Sequence, residues 1–119
     1  MAKHDPNLDR LFHALSDPTR RGIVERLLTG PASVTDLAQP TGMAMPTVLK
    51  HIAVLEETGL VTSEKSGRTR ICRASPAPLA AAETWIDAQR RLWEGRLDRL
   101  DDYVTNLMKD PSHGSRPKD

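Results

Sequence analysis

Between Ser16 and Gly67, proline and glycine recur so closely that every apolar-periodic stretch is cut short, and this punctuation limits the fold more than any other feature. The breaks fall at Asp17-Pro18, Gly30-Pro31, Pro40 with Gly42, Gly59 and Ser66-Gly67. Long helices and broad sheets are excluded there, which leaves short helices joined by tight turns. Residues 7–16 carry Leu8, Leu11, Phe12 and Leu15 at helical spacing, so a first helix is predicted. Asp17 can accept from the free amides of a second helix, and Pro18 suits its first position because it lacks a donor that would go unpaired. That helix turns Ile23, Val24, Leu27 and Leu28 inward, ends at Gly30 and is stopped by Pro31.

A short third helix begins at Ser33, runs through Val34, Leu37 and Ala38, and closes at Gln39-Pro40-Thr41-Gly42. The fourth covers residues 44–58, with Val48, Ile52 and Leu55 as its buried stripe. Residues 60–65 and 69–74 are β-capable runs joined through Ser66-Gly67, a hairpin pattern. Pro76 and Pro78 mark the entry to a last helix over residues 79–108, whose Ile86, Trp93, Leu97, Leu100, Val104 and Leu107 settle into alternating steps of four and three. That spacing belongs to a helix lying along another helix. The expected organisation is one domain over residues 1–109 and a polar, disordered tail over residues 110–119. Only four aromatic side chains serve a chain of 119 residues, thin filling for a monomer's core, which favours an oligomer.

No stretch approaches the roughly 18 apolar residues of a membrane span, and the opening MAKHDPNLDR offers no apolar signal segment. With Cys72 as the single cysteine, no internal disulfide framework exists, and a cytoplasmic location is expected. The net charge is only +1, but charge is sorted along the chain. Between Leu60 and Ser75, Lys65, Arg68, Arg70 and Arg73 face Glu64 alone, four minus one or +3.

Three features point to double-stranded DNA. Residues 33–39 and 44–58 form a helix-turn-helix pair whose second helix can enter a major groove. With Val48, Ile52 and Leu55 turned to the core, Met45, Thr47, Leu49 and Lys50 face outward near its start. The hairpin that follows carries Lys65, Arg68 and Arg70, as a wing that neutralises phosphates requires. The turn at Asp17-Pro18-Thr19-Arg20-Arg21 sets two arginines at the head of the second helix. The expected fold class is mainly α with a small β-hairpin, a winged helix-turn-helix.

The stretch Ala14-Leu15-Ser16-Asp17-Pro18-Thr19-Arg20-Arg21, the segment Met45-Pro46-Thr47-Val48-Leu49-Lys50-His51-Ile52 and the run Leu55-Glu56-Glu57-Thr58-Gly59-Leu60-Val61 resemble the ArsR/SmtB family of winged-helix repressors. The resemblance spans roughly residues 8–108. It implies a homodimer through the first and last helices, with Leu8, Leu11 and Phe12 from one and Ile86, Trp93, Leu97, Leu100 and Val104 from the other. It further implies a transcriptional repressor on an operator, released by a signal, and adds Ser33 and His51 to the DNA contacts. His51 also borders the buried stripe, so a packing and hydrogen-bonding role stands beside the phosphate contact.

Well-known members of the family sense metals, but the helix before the recognition helix here reads Ser33-Val34-Thr35-Asp36-Leu37, and the last helix has carboxylates without histidine. A transition-metal site needs several soft or imidazole ligands converging, so no metal, no cofactor and a non-metal signal are expected. An unidentified small-molecule effector stays open, with Trp85 and Trp93 either filling the dimer seam or lining its pocket. Cys72 is either a redox switch in a basic hairpin or a small apolar strand residue. Relatives often carry Ser or Thr at the place of Ala44, so a helix cap is missing and must come from Thr41 or water. They often carry polar residues at the places of Met45 and Leu49, whose apolar side chains can meet thymine methyls but cannot read a donor–acceptor pattern. An enzyme is disfavoured by the lack of paired carboxylates in a cleft or a glycine-rich phosphate loop. A winged helix serving only as a protein–protein module would have no use for the basic hairpin.

Overall fold

In the computed structural model, residues 5–109 are described, in two compact units divided between Glu83 and Thr84. The tail expected over residues 110–119 lies outside the described residues.

Helix α1 (Pro6–Leu15) starts where the Asp5 carboxylate accepts from the amides of Asn7 and Leu8. Helix α2 (Pro18–Leu28) is capped by Asp17, which accepts from the Arg20 amide at 3.0 Å. Strand β1 (Ala32–Ser33) leads into α3 (Val34–Ala38), and the Ser33 hydroxyl caps that helix by accepting from the Asp36 amide at 3.0 Å. A turn of 3-10 helix over Gln39–Thr41 closes at Gly42, whose φ of +68° lies in the left-handed region. A side chain there would be strained, so glycine makes the sharp turn that separates α3 from α4.

Helix α4 (Met45–Thr58) is the centre of the first unit, packing against α1, α2, α3 and β2. Its Val48, Ile52 and Leu55 are buried among Leu11, Ile23, Leu27, Leu37, Leu60 and Val61, the stripe expected from the sequence. Strands β2 (Val61–Ser66) and β3 (Thr69–Ala74) form the expected hairpin. Gly67, at φ +65°, takes the first of the two turn positions and leaves Arg68 at the tip, as in a type II′ turn. The hairpin is part of a three-stranded antiparallel sheet in the order β1-β3-β2, with Ala32 opposite Cys72 and Ser33 opposite Ile71. Two residues bounded by Pro31 and a helix carry no alternation to read, so β1 was not foreseen.

The last helix, α5 (Ala77–Lys109), begins in the first unit, where Ala82 is buried in the core. Its remainder constitutes the described part of the second unit. There Trp85, Ile86, Leu92, Trp93, Leu97, Leu100, Tyr103, Val104, Leu107 and Met108 are all exposed. The expected four-and-three row is present, within a broader apolar face.

Candidate nucleic-acid interface

Helix α4 presents Met45, Thr47, Leu49 and Lys50 to solvent while Val48 between them is fully buried. Ala44 gives no side-chain cap to this helix; the amides of Thr47 and Val48 instead reach the Ala44 carbonyl at 3.0 and 3.2 Å. Thr41, expected as a substitute cap, is occupied elsewhere. Its hydroxyl donates to the Ala38 carbonyl and accepts from the Met43 amide, tightening the turn before α4.

On the wing, Lys65, Arg68 and Arg70 are exposed, and Lys65 stands directly opposite Arg70 across the β2–β3 ladder. Residues so paired point to one face, where like charges repel and destabilise the sheet. An anion between them, such as a phosphate, removes that cost. Arg70 is also steadied from below: it donates to the Ser63 hydroxyl at 3.0 Å, and Ser63 in turn donates to the Glu56 carboxylate of α4. This chain couples the base of the wing to the recognition helix, and no local sequence signal joins residues that far apart.

Arg20, expected at the DNA, is also engaged within its own chain. Its guanidinium donates through Nε to the Ala14 carbonyl at 2.8 Å and through Nη2 to the His13 carbonyl at 3.2 Å, while Nη1 lies 3.1 Å from His51 Nδ1. It closes the C-terminal end of α1 together with Ser16, whose amide and hydroxyl also donate to the His13 carbonyl. Arg21 does part of the same work, donating to the Leu15 carbonyl at 2.8 Å, with its remaining edge exposed. Ser33, also expected at the DNA, spends its hydroxyl as the α3 cap.

His51 stands between the two roles left open for it. A guanidinium only donates, so Nδ1 of the neutral ring must accept from Arg20, which puts the ring proton on Nε2. Nδ1 also lies 3.9 Å from Asp17 Oδ2, and the side chain is 17% exposed. The hydrogen bond that Asp17 accepts from the Arg20 amide, aided by the charge of His51 when that ring is protonated and by the charge of Arg20, holds its carboxyl below the usual carboxylate range against some desolvation. The recognition helix is thereby tied to the α1–α2 turn.

Cys72 is fully buried on β3. Burial, and then the Glu56 carboxylate, push its thiol up, with Arg70 offsetting part of this. That favours the apolar strand reading over a reactive thiolate. Leu11, expected at the dimer interface, is 2% exposed and belongs to the core of its own chain, because the α1 stripe that carries it faces α4. Leu8 is half-buried against that core and Phe12 is exposed. Among the described residues no group of three or more His, Cys, Asp or Glu side chains is placed to hold a metal ion. No helix among them is long and apolar enough to cross a membrane. Met43, 36% exposed beside Met45, joins the outward face without having been singled out in the sequence.

Known proteins agree with this geometry. A family described as a helix-turn-helix domain matches residues 15–64. The chain is 41% identical over 85 residues to the HTH-type transcriptional regulator Rv2034 of Mycobacterium tuberculosis, covering 71% of this chain and 77% of that protein. It is 33% identical over 106 residues to the arsenical resistance operon repressor of Escherichia coli, covering 88% of each. The crystal structure of an ArsR family transcriptional regulator superposes with a TM-score of 0.75 at 45% identity, covering 79% of this chain and 97% of that one. With reading helix, wing and relatives in accord, the chain belongs to the ArsR family of winged helix-turn-helix, DNA-binding transcriptional regulators, and is a regulator rather than an enzyme.

Proposed function

We propose that the protein is a cytoplasmic homodimeric repressor, holding a two-fold operator through its recognition helices and wings and released by a signal other than a metal. The observation that carries the dimer is the apolar row on α5: Ile86, Trp93, Leu97, Leu100 and Val104 are each between 43% and 58% exposed in a single chain. A helix cannot bury such a row against itself, and a second copy of the same row covers it with matching spacing. Fully burying one such side chain contributes roughly 1.5–3 kcal/mol, well above an exposed ion pair such as Asp87 with Arg91. Leu8 and Phe12 of α1 are assigned to dimer contacts as the family resemblance implies. Two copies supply two reading helices, and operator symmetry then mirrors protein symmetry. The repressor assignment leans on the relatives, of which the arsenical resistance operon repressor is one.

In this assignment Lys65, Arg68 and Arg70 meet phosphates, Thr47 and Lys50 meet base edges, and His51 can offer its Nε2–H to the backbone. The test is the double substitution Leu97→Asp with Leu100→Asp. Sedimentation should show monomers, and mobility shifts with promoter fragments from the source genome should show operator binding lost. A variant that sediments as a dimer removes the α5 interface from the proposal.

A further inference from the structure

The N-terminal face of α4 is unusual for a surface that meets a polar partner. Of the five large apolar side chains that the described part of the first unit leaves exposed, Met43, Met45 and Leu49 stand together at the start of this helix. Met45 and Leu49 are four residues apart and so share one flank of it. From Met43 to Leu49 the only side chain able to hydrogen-bond is Thr47, and Ala44 provides not even a cap. Such a surface cannot distinguish bases by donors and acceptors over more than one or two positions. Its next neighbour along the helix, Lys50, is an exposed cation, which favours a polyanion as the occupant over a second apolar protein surface.

One feature of the major groove is apolar. Thymine alone among the four bases presents a methyl group there, at C5. We propose that Met45 and Leu49, with Met43 at the edge, read the C5-methyl groups of thymines in the operator half-site. Sequence is then selected at these positions by burying methyl carbon, and Thr47 supplies the polar readout. This rests on the operator-binding reading above and adds the chemical group that is recognised. Methionine and leucine suit the task because each reaches several ångströms beyond the backbone and, in methionine, an unbranched, polarisable side chain can adapt to the methyl it meets.

Deoxyuridine differs from thymidine only in lacking that methyl, and it pairs identically with adenine. Operators are selected with the wild-type protein from a random duplex pool, and each thymine of the half-site is then replaced singly by deoxyuridine at one fixed salt concentration. Losing one buried methyl should weaken binding about fourfold, equivalent to about 0.8 kcal/mol. For at least one thymine the loss should appear in the wild type and disappear in Leu49→Ala or Met45→Ala, whose exposed sites leave folding intact. A pool that enriches no sequence overturns the operator reading and this proposal with it. Uracil duplexes bound as tightly as thymine duplexes at every position overturn this proposal alone, as does a loss that is the same in the alanine variants as in the wild type.

Discussion

Asp17 shows how much a single side chain does in this fold. It caps α2, sits beside the Arg20 guanidinium that closes α1, and lies within reach of His51 on the recognition helix. Its carboxyl is held below the usual carboxylate range, foremost by the Arg20 amide, so its contribution to stability has a definite sign with pH. A carboxylate depressed in the folded state stabilises fully above its unfolded pKa, and that contribution fades as pH falls toward the folded value. Asparagine caps a helix about as well as aspartate, so Asp17→Asn isolates the charge. The variant should melt below the wild type at pH 7, and the gap should close as pH falls below about 4, the ordinary range of an aspartate, toward the lower folded value. Thermal melts showing a constant gap from neutral to acid pH would falsify the ionic role.

At the scale of elements, the proposed function divides the contact with DNA between wing and recognition helix. Arg68 is at the tip of the β2–β3 turn and Thr47 is on the outward face of α4. Arg68→Ala should weaken operator and random DNA together and flatten the salt dependence by about one unit per lost phosphate contact. Thr47→Ala should cost about 1–3 kcal/mol on the operator and narrow its advantage over random sequence. Binding titrations at one salt concentration, then across a salt series, separate the two. If Arg68→Ala loses selectivity while Thr47→Ala keeps it, the roles are reversed.

These elements also mark how far the sequence can be read. Helices α1 to α4 and the hairpin were legible because 3.6-residue and two-residue periods, and the prolines and glycines between them, are local signals. The outward placing of Met45, Thr47, Leu49 and Lys50 followed from the buried stripe of the same helix. The task of Arg20 was not legible, since whether a guanidinium faces DNA or the end of the preceding helix depends on how α1 and α2 turn at Asp17. Leu11 fits the α1 stripe whether its partner is α4 or another chain. The pairing of Ala32 with Cys72 spans forty residues without a periodic mark.

For the molecule as a whole, a signal other than a metal makes a direct prediction. The helix ahead of the recognition helix contributes no thiolate or imidazole, and the described part of α5 contributes carboxylates alone. Operator affinity should therefore be unchanged by chelators or by micromolar zinc. A loss of more than about tenfold, or about 1.4 kcal/mol, with stoichiometric zinc seen by native mass spectrometry, would show a site assembled from residues outside this reading.

The buried position of Cys72 has a practical corollary. As the chain's only cysteine it leaves no thiol on the described surface, so the native protein needs no preparatory substitution before site-directed labelling. One cysteine introduced at Arg68 would take a nitroxide or a fluorophore selectively, and the proposed dimer would carry one label on each wing tip. The distance between the two labels, read by pulsed spin resonance with and without operator, would then be a direct ruler for how far apart the protein holds its two grips on the duplex.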